Sequence, residues 1–265
     1  MISSTDQLNR TIFFSGFPQR IISVVPSQTE LLYSLGLKEE VIGITKFCVH
    51  PDEWFRNKTR VGGTKKLNIG LIRSLKPDLI IANKEENTKE DIDLLIGEFP
   101  MWISDIKTFN DSINMIKEVG RITNREQCAI ELSEKIIRQF NSLKSITQKI
   151  TSCIYLLWKN PFMVAGNDTF ISEMLTRGGF KNLITENRYP KITSEQITHL
   201  KPEVILLSSE PFPYKQKDVN ELKLFFPRTN VLCVDGEMFS WYGSRLLLSP
   251  EYFANIKQKL LNNHY

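Results

Sequence analysis

The sequence predicts an α/β protein of two Rossmann-like lobes with mainly parallel sheets, joined by one long α-helix. Strand-length apolar runs alternate with helical stretches in both halves, one segment of the first half is echoed in the second, and a helical apolar stripe lies between them. A chain of 265 residues is long enough for two domains of ordinary size. We therefore divide it into an N-terminal α/β lobe (1–108), a connecting helical segment (109–150) and a C-terminal α/β lobe (151–265).

Hydrophobic patterning predicts strands that are covered on both faces of their sheets. Near-continuous apolar runs of strand length are typical of parallel sheets, where helices pack on both sides. The runs are residues 21–25, 41–45 and 79–82 in the first half and 154–158, 204–207 and 231–234 in the second. Helical stretches such as 169–177 separate them, as βαβ connections require.

An internal repeat supports the division into two lobes. Residues 71–81 (LIRSLKPDLII) are echoed by residues 196–206 (QITHLKPEVIL), with Lys-Pro at the same place in each. Proline disfavours helical geometry at the preceding lysine, so in both segments a helix should end there and a buried strand should start two residues later. A weaker echo pairs residues 30–37 with 173–180, each with a glycine that would end a helix.

A single apolar stripe predicts the connecting helix. Its members recur at intervals of three and four residues and are Ala129, Leu132, Ile136, Phe140 and Leu143. With Thr123 or Asn124 as the N-cap, a helix over residues 124–144 would be about 31 Å long at roughly 1.5 Å per residue, enough to span two lobes. The stretch 244–262 predicts a closing helix.

Composition and charge argue against several classes of protein. The 34 basic and 30 acidic residues are interspersed and leave a net charge of +4, so nucleic-acid binding is not expected. The four cysteines are far apart and suggest neither a zinc site nor a disulfide framework. No apolar run approaches the roughly 18 residues of a membrane helix. Residues 1–20 carry no export signal, so the chain as written is expected in the cytoplasm; it would be periplasmic or lipid-anchored if a signal has been removed.

The common catalytic motifs are missing from the sequence. It contains no G-x-S-x-G elbow, no G-x-x-x-x-G-K-[ST] loop and no H-E-x-x-H helix. We therefore expect a protein that is not an enzyme. The alternative is catalysis by a pair of carboxylates in the cleft between the lobes, such as Glu85 and Glu237.

Loops after the predicted strands supply the candidate ligand-binding residues of the first lobe, because ligands of parallel α/β sheets bind beyond the carboxyl ends of the strands. These candidates are Ser27, Phe47, Cys48, His50, Gly63 and Thr64. Ser27 could cap the following helix and present backbone N–H groups to a ligand. Cys48 and His50 alternate onto one side of an extended loop and could complete the coordination of a metal already held in a macrocycle or chelate. The alternative is a packed thiol and a polar loop histidine.

Aromatic-rich loops supply the candidates of the second lobe. They are Trp158, Phe162, Met163, Asn167, Phe239, Trp241, Tyr242 and Arg245. Large aromatic side chains on loops suit a broad, flat, partly apolar ligand such as a tetrapyrrole, and ordinary core packing is the alternative for each of them. Arg245 would meet a carboxylate or amide edge of the ligand or remain a solvated surface charge.

A family resemblance covers nearly the whole chain. Residues 18–32 (PQRIISVVPSQTELL) and 41–45 (VIGIT) closely resemble the opening of the class III substrate-binding proteins of ABC importers, and most of all their cobalamin-binding branch. The resemblance implies two lobes bridged by one helix, and non-covalent binding of a metal-containing cofactor or chelate in the cleft between them. Cobalamin-like ligands come first, then haem or a ferric siderophore. The cobalamin relatives place a tryptophan over the corrin where Thr64 stands here. We expect a monomer.

Two departures bear on the importer role that the resemblance implies. In family members each lobe presents a surface glutamate that pairs with arginines of the importer's membrane subunits. Glu195 matches the glutamate of the second lobe, whereas Gly70 stands in place of that of the first and supplies no charge for docking. The second departure is the missing export signal. The alternative role is therefore a cytoplasmic carrier or sensor of such a ligand that does not dock to an importer.

Overall fold

The computed structural model of the chain describes residues 2–146 and 149–262. The chain divides into two compact units, and each is built from several segments of the sequence. Unit 1 comprises Met1–Ile106, Asn110–Lys135 and Tyr242–Arg245, and unit 2 comprises Lys107–Phe109, Ile136–Trp241 and Leu246–Tyr265. Packing therefore assigns Tyr242–Arg245 to the first unit, although the division by sequence places it in the C-terminal lobe.

A parallel sheet forms the centre of unit 1. The strands of this unit are β1 (Ile2–Thr5), β2 (Thr11–Phe14), β3 (Ile21–Ser23), β4 (Val41–Ile44), β5 (Thr59–Arg60), β6 (Gly62–Gly63), β7 (Lys66–Leu67), β8 (Leu79–Asn83) and β9 (Met101–Ser104). Five of them pair in the order β5-β4-β3-β8-β9, all parallel. The pairs β1–β2 and β6–β7 are separate antiparallel hairpins. The apolar runs at 21–25, 41–45 and 79–82 thus form strands as predicted.

Helices join the strands of unit 1. They are α1 (Pro26–Ser34), α2 (Asp52–Asn57), α3 (Ile69–Leu75), α4 (Lys89–Leu95) and α5 (Phe109–Ile122). One hydrophobic cluster, which includes Ile22, Ile80 and Ile103 of the sheet together with Ile72 of α3 and Leu95 of α4, packs helices onto one face of the sheet. The packing of this cluster holds the strand ends and the loops that follow them in place.

The long helix α6 (Glu126–Ile146) has its first half in unit 1 and its second half in unit 2. Ala129, Ile136 and Phe140 of the predicted stripe are buried, which confirms the helix and its apolar face. Neither proposed N-cap begins it. Thr123 donates its hydroxyl to the carbonyl of Val119, 2.7 Å away, in the last turn of α5, and Asn124 has a left-handed backbone. Among the described residues, no helix is both long and apolar enough to cross a membrane.

A mixed sheet forms the centre of unit 2. Its strands are β10 (Thr151–Trp158), β11 (Phe162–Val164), β12 (Phe180–Asn182), β13 (Lys191–Ile192), β14 (Val204–Ser208) and β15 (Asn230–Val234). The order is β13-β11-β10-β14-β15, with β12 paired to β10. The pairings of β10 with β12 and β14, and of β14 with β15, are parallel, whereas β11 is antiparallel to its neighbours. The mainly parallel character that was predicted is therefore confirmed.

Helices also join the strands of unit 2. They are α7 (Phe170–Arg177), α8 (Ser194–Leu200), α9 (Gln216–Phe225), α10 (Glu237–Ser240) and α11 (Ser249–Asn262), and a short 3-10 helix (Ser244–Leu247) precedes the last. A hydrophobic cluster joins Ile154 of β10 and Ile205 of β14 to Ile197 of α8 and Leu222 of α9. The predicted closing helix is thus a 3-10 turn followed by α11.

The sequence repeat corresponds to repeated backbone geometry. Lys76 after α3 and Lys201 after α8 are both left-handed, with φ of 46° and 49°, directly before their prolines. Gly36 after α1 and Gly179 after α7 are also left-handed, with φ of 85° and 76°. Proline prevents a further helical residue, so the chain turns at lysine and enters the buried strand as predicted.

Candidate ligand-binding loops

Ser27 lies inside helix α1 rather than capping it. The helix begins one residue earlier, at Pro26, and Val25 at the N-cap position offers no side-chain bond. Proline suits the first helical position because its missing N–H would have no partner there. The Ser27 side chain is buried beside Tyr242. The capping role expected for Ser27 is therefore corrected.

Cys48 has no access to a ligand in the structure. Its thiol is fully buried, and the hydroxyls of Thr29 and Thr45 each lie 3.1 Å from Sγ. Burial raises the pKa of the thiol, and the two hydroxyl contacts offset only part of this effect. A metal binds the thiolate rather than the thiol, so the structure corrects the expectation for Cys48 and favours the packed-thiol alternative. His50, two residues on, remains partly exposed.

Phe47 and Gly63 come together in unit 1, as two loops after neighbouring strands should. The ring of Phe47 is 50% exposed, and a Cβ built at Gly63 would lie 3.0 Å from its Cε2 atom. Only glycine therefore lets the ring lie against this backbone without displacement. Lys46, which the sequence did not single out, places its Nζ 5.1 Å from the ring centroid. The result is an exposed aromatic surface next to a positive charge.

Two buried asparagines fix the loops behind this surface. Asn87 donates from Nδ2 to the carbonyls of Val24 and Thr64, at 3.1 Å in each case, and so joins the loops after β3 and β6. Asn83 donates to the hydroxyl of Ser104 at 2.9 Å and ties the carboxyl ends of β8 and β9. Thr64, half-buried, thus has its backbone anchored. Both asparagines come shortly after the predicted strand at 79–82. Their place in a loop at the end of a strand could have identified them from the sequence.

Arg245 is not a solvated surface charge but a largely buried group that is paired within unit 1. Its Nε and Nη2 atoms lie 3.1 and 2.7 Å from the two carboxylate oxygens of Glu30 in α1. The guanidinium is 9% exposed and the carboxylate 18%. Ser112 donates its hydroxyl to the carbonyl of Tyr242 at 3.2 Å. These bonds hold the segment Tyr242–Arg245 within unit 1, which corrects the expectation for Arg245.

Tyr242 is also buried in unit 1. Burial raises the pKa of its hydroxyl well above the ordinary value, and contacts with Ser27 and Ser104 offset only part of the increase. A phenol in this environment stays protonated. Its position favours a structural role over direct contact with a ligand.

Trp158 is the exposed aromatic side chain at the carboxyl end of β10 in unit 2. It is 41% exposed and pairs across the strands with Met163 of β11. Its ring meets that of Phe212 edge to face, with centroids 5.5 Å apart. Phe162, also in β11, is half-buried against the core. The structure therefore brings together Trp158, Phe162 and Met163 as predicted candidates and adds Phe212, which the sequence did not indicate.

Phe239 belongs to the core of unit 2. It is fully buried, and its ring centroid lies 5.1 Å from that of Tyr155 and 4.7 Å from that of Phe253. The structure corrects its assignment as a ligand contact, because no part of the ring reaches the surface. Trp241, two residues on, is largely buried and hydrogen-bonds to Glu210.

Glu210 is half-buried and lies two residues beyond the carboxyl end of β14. Burial raises its pKa, and the nearby carboxylates of Glu237 and Asp235 raise it further. Ser240 donates its hydroxyl to Oε1 at 2.7 Å, and this bond and that with Trp241 act in the opposite direction. Perturbed carboxyls are frequent at functional positions. Sequence reasoning missed this residue because the groups that perturb it, Asp235 and Glu237, lie on another loop.

A polar cavity surrounds Asn167 in unit 2. It has a volume of about 340 Å³ and lies at the start of α7. Hydroxyl, amide, carboxylate and ammonium groups line it, from Lys107, Thr108, Asn167, Asp168, Ser172 and Glu173. The cavity can offer hydrogen bonds to polar substituents of a ligand. Within residues 2–146 and 149–262, no three His, Cys, Asp or Glu side chains are grouped so as to hold a metal ion.

Glu195 and Gly70 occupy matching exposed positions, each the second residue of its helix, α8 and α3. Hydrogen bonds from Thr193, its own backbone and Ser194 lower the pKa of Glu195, which is therefore charged at neutral pH. A Cβ added at Gly70 would meet only Oδ1 of Asn68, at 3.8 Å. Packing does not require glycine there.

Known proteins share this fold and are related to the chain in sequence. Residues 21–226 match the periplasmic binding protein family. A vitamin B12-binding protein of Pectobacterium atrosepticum is 24% identical over 90% of this chain and 88% of its own length. An uncharacterized ABC transporter substrate-binding lipoprotein, YvrC of Bacillus subtilis, is 27% identical over 96% of this chain and 84% of its own length.

Solved structures agree with the sequence relatives on the fold. The periplasmic vitamin B12-binding protein BtuF of Vibrio cholerae superposes with a TM-score of 0.79 at 20% identity, over 92% of this chain and 98% of that one. The haem-binding protein BhuT gives 0.79 at 19% identity, over 92% and 98%. The siderophore-binding protein BauB, bound to acinetobactin and ferric iron, gives 0.80 at 17% identity, over 96% and 97%. The chain thus belongs to the periplasmic binding protein family and is a substrate-binding protein rather than an enzyme.

Proposed function

We propose that the chain binds a metal-containing cofactor or chelate without covalent attachment, and delivers it to an ABC importer. Cobalamin-like ligands come first and haem or a ferric siderophore next, because relatives and fold neighbours are named for these three ligand classes. Binding in a cleft between the lobes remains a prediction, as does a monomeric state.

The observation that carries this proposal is one exposed aromatic side chain beyond the carboxyl edge of each sheet. Phe47 follows β4 in unit 1, and Trp158 ends β10 in unit 2. Exposed rings held by packed neighbours offer flat apolar contact at little cost in conformational entropy. A corrin, a porphyrin or a siderophore with aromatic groups presents a matching flat surface.

The ligand contacts that we propose are the exposed or half-buried candidates. In unit 1 they are Phe47, His50 and Thr64, and in unit 2 Trp158, Phe162, Met163 and Asn167. Gly63 is buried beside the Phe47 ring and stays a prediction. His50 is the residue we propose to complete the coordination of the ligand's metal, since Cys48 is buried. Ser27, Trp241 and Tyr242 stay predictions.

Glu195 is the residue that we propose for docking to the importer's membrane subunits. Its carboxylate is exposed and charged, and arginine is its natural partner. Gly70 gives unit 1 no equivalent charge. The missing charge at Gly70 favours a second candidate role, in which the chain is a cytoplasmic carrier or sensor and docks to no importer.

A titration of the purified chain with cyanocobalamin, hemin and ferric acinetobactin tests ligand class. We expect one of the three to bind with one ligand per chain, seen by calorimetry and by a shift in visible absorbance. A chain that retains its circular dichroism spectrum and binds none of the three would refute the proposal. Co-purification with an importer's membrane subunits, or its failure, separates the importer role from the carrier role.

A further inference from the structure

Two exposed lysines belong to the loops around the Phe47 ring in unit 1. Lys46 precedes the ring in the loop after β4, and Lys65 follows Thr64 in the turn between β6 and β7. Lys46 places Nζ 5.1 Å from the centroid of the Phe47 ring. Lys65 donates from Nζ to the carbonyl of Glu85, a neutral acceptor. Among the residues that the structure describes, no carboxylate forms an ion pair with either ammonium.

Gly63 brings the stem of Lys46 and the ring of Phe47 together. A Cβ built at Gly63 would lie 3.2 Å from Cε of Lys46 and 3.0 Å from Cε2 of Phe47. The lysine stem and the aromatic ring therefore pack against the same backbone, and this packing limits where the ammonium can go. A positioned ammonium loses less side-chain entropy when it binds an anion than a freely rotating one.

The lysine next to the exposed ring of unit 2 is neutralised by carboxylates. Lys159 follows Trp158 in the sequence. Its Nζ lies 2.8 Å from Oδ1 of Asp218 and 2.7 Å from Oε2 of Glu221. The two exposed rings thus have different surroundings, since only the lysine beside Phe47 keeps its charge available to a ligand.

Acidic residues follow the neighbouring strands of unit 2. Glu210 lies two residues beyond β14, and Asp235 and Glu237 follow β15. The carboxylates of Glu237 and Asp235 both raise the pKa of Glu210, so the three carboxyls act on one another. An anionic group of a ligand would be repelled at this edge of unit 2 and attracted by the ammonium groups of unit 1.

We propose that Lys46, assisted by Lys65, binds an anionic oxygen group of the ligand, such as a carboxylate or a phosphate, while the flat part of the ligand contacts Phe47. The inference rests on the proposed binding function. It makes Lys46 a specificity-determining residue, because a ligand with an uncharged group at this place gains no charge-assisted hydrogen bond. Propionates of haem, the phosphodiester of cobalamin and the catecholate or hydroxamate oxygens of a ferric siderophore all have this chemistry.

Matched ligands with and without the anionic group test this inference by calorimetry. Hemin is paired with hemin dimethyl ester, and cyanocobalamin with dicyanocobinamide, which lacks the phosphodiester. For whichever of hemin and cyanocobalamin binds the wild-type chain, we expect Lys46→Gln to raise Kd by about five- to tenfold, and Lys65→Gln to raise it less. Kd for the matched ligand without the anion should change by less than about twofold. If ferric acinetobactin is the ligand, added salt should weaken its binding to wild type more than its binding to Lys46→Gln.

Lys46→Arg and Lys38→Gln are the control variants. Lys46→Arg keeps the positive charge and should keep Kd within about threefold of wild type. Lys38 is an exposed lysine before the amino end of β4, the strand that Lys46 follows, so Lys38→Gln should leave Kd unchanged. Circular dichroism establishes that each variant is folded.

The outcomes separate this inference from the proposed function. Unchanged affinity in Lys46→Gln, an equal loss for the matched ligands with and without the anion, or equal salt dependence in wild type and variant would overturn the inference and leave the binding function standing. A folded wild-type chain that binds none of hemin, cyanocobalamin and ferric acinetobactin would refute the proposed function and the inference together.

Discussion

Helix α3 of unit 1 and helix α8 of unit 2 have the same local structure but different exposed residues. Each has seven residues, ends at a left-handed lysine before proline and leads into a buried five-residue strand. Their exposed second residues differ, with Gly70 in one and Glu195 in the other. Packing constrains the buried side of each copy, whereas the exposed side is free to change. Differences in function should therefore lie at exposed positions.

Glu30 and Glu173, which correspond in the weaker echo, show the same principle in a charged pair. Glu30 of α1 pairs with Arg245, which lies 215 residues further along the chain. Glu173 of α7 pairs with Arg177 of the same helix, with Nε and Oε1 2.8 Å apart. Both units have this glutamate, but in unit 1 the arginine that pairs with it comes from the C-terminal segment of the chain. The comparison predicts unequal costs for breaking the two pairs.

The largest effect should come from Arg245→Leu. It leaves the Glu30 carboxylate without its partner in a largely buried place, and breaking such a pair costs about 3–5 kcal/mol. Arg177→Leu, at a more exposed pair within one helix, should cost about 1 kcal/mol or less. Urea unfolding of both variants measures the difference. Equal losses in the two variants would show that the distant arginine adds no stability of its own.

A smaller effect is expected at Glu210 of unit 2, a half-buried residue whose carboxyl is close to two others. Glu210→Gln keeps an acceptor for Ser240 and removes the repulsion from Asp235 and Glu237. The folded state raises the pKa of Glu210, so ionisation costs stability as the pH rises through that pKa. We expect the variant to be more stable than wild type at pH 7, by on the order of 1 kcal/mol.

The same reasoning fixes the pH dependence of the Glu210→Gln advantage. It should shrink on acidification and vanish below the ordinary value of 4.5, where Glu210 is protonated in both the folded and the unfolded state. Thermal unfolding of both proteins at several pH values measures this. An advantage that grows as the pH falls would contradict the assigned direction of the pKa.

The smallest effect on stability should come from Gly70→Glu, which makes the exposed side of α3 resemble that of α8. The added side chain has open space, and glycine is a poor helix former, so stability should rise by about 0.5–1 kcal/mol. Binding to importer membrane subunits should strengthen if the unit 1 position docks. Glu195→Gly is the matched variant and should weaken it. Unchanged binding in both variants would show that neither position takes part in docking.

The fold was more predictable from the sequence than the candidate site. Buried strands such as β8 and β14 carry their signal in a local apolar run, and proline after lysine marks where the preceding helix ends. The two-residue strands β5, β6, β7 and β13 are too short to show a period. The hairpin of β1 and β2 was missed because its apolar residues are few and scattered.

The site was harder because exposure depends on partners that are distant in sequence. Trp158 and Phe239 both occur in aromatic-rich stretches, yet one remains exposed while the other is enclosed by Tyr155 and Phe253. Likewise, nothing near Arg245 in the sequence indicates that Glu30 neutralises it. Local pattern identifies residues that are able to bind a ligand, and the tertiary packing decides which of them reach the surface.

The most direct test of the binding role is the affinity of Phe47→Ala and Trp158→Ala for whichever of cyanocobalamin, hemin and ferric acinetobactin binds the wild-type chain. Phe13→Ala and Phe225→Ala are the matched controls, since both rings are exposed but neither is a proposed ligand contact. By calorimetry we expect Kd to rise at least about tenfold in each of the first two variants, a loss of about 1.4 kcal/mol, and to stay within about twofold in the controls. Unchanged affinity in both Phe47→Ala and Trp158→Ala would contradict the assignment of the ligand to these loops.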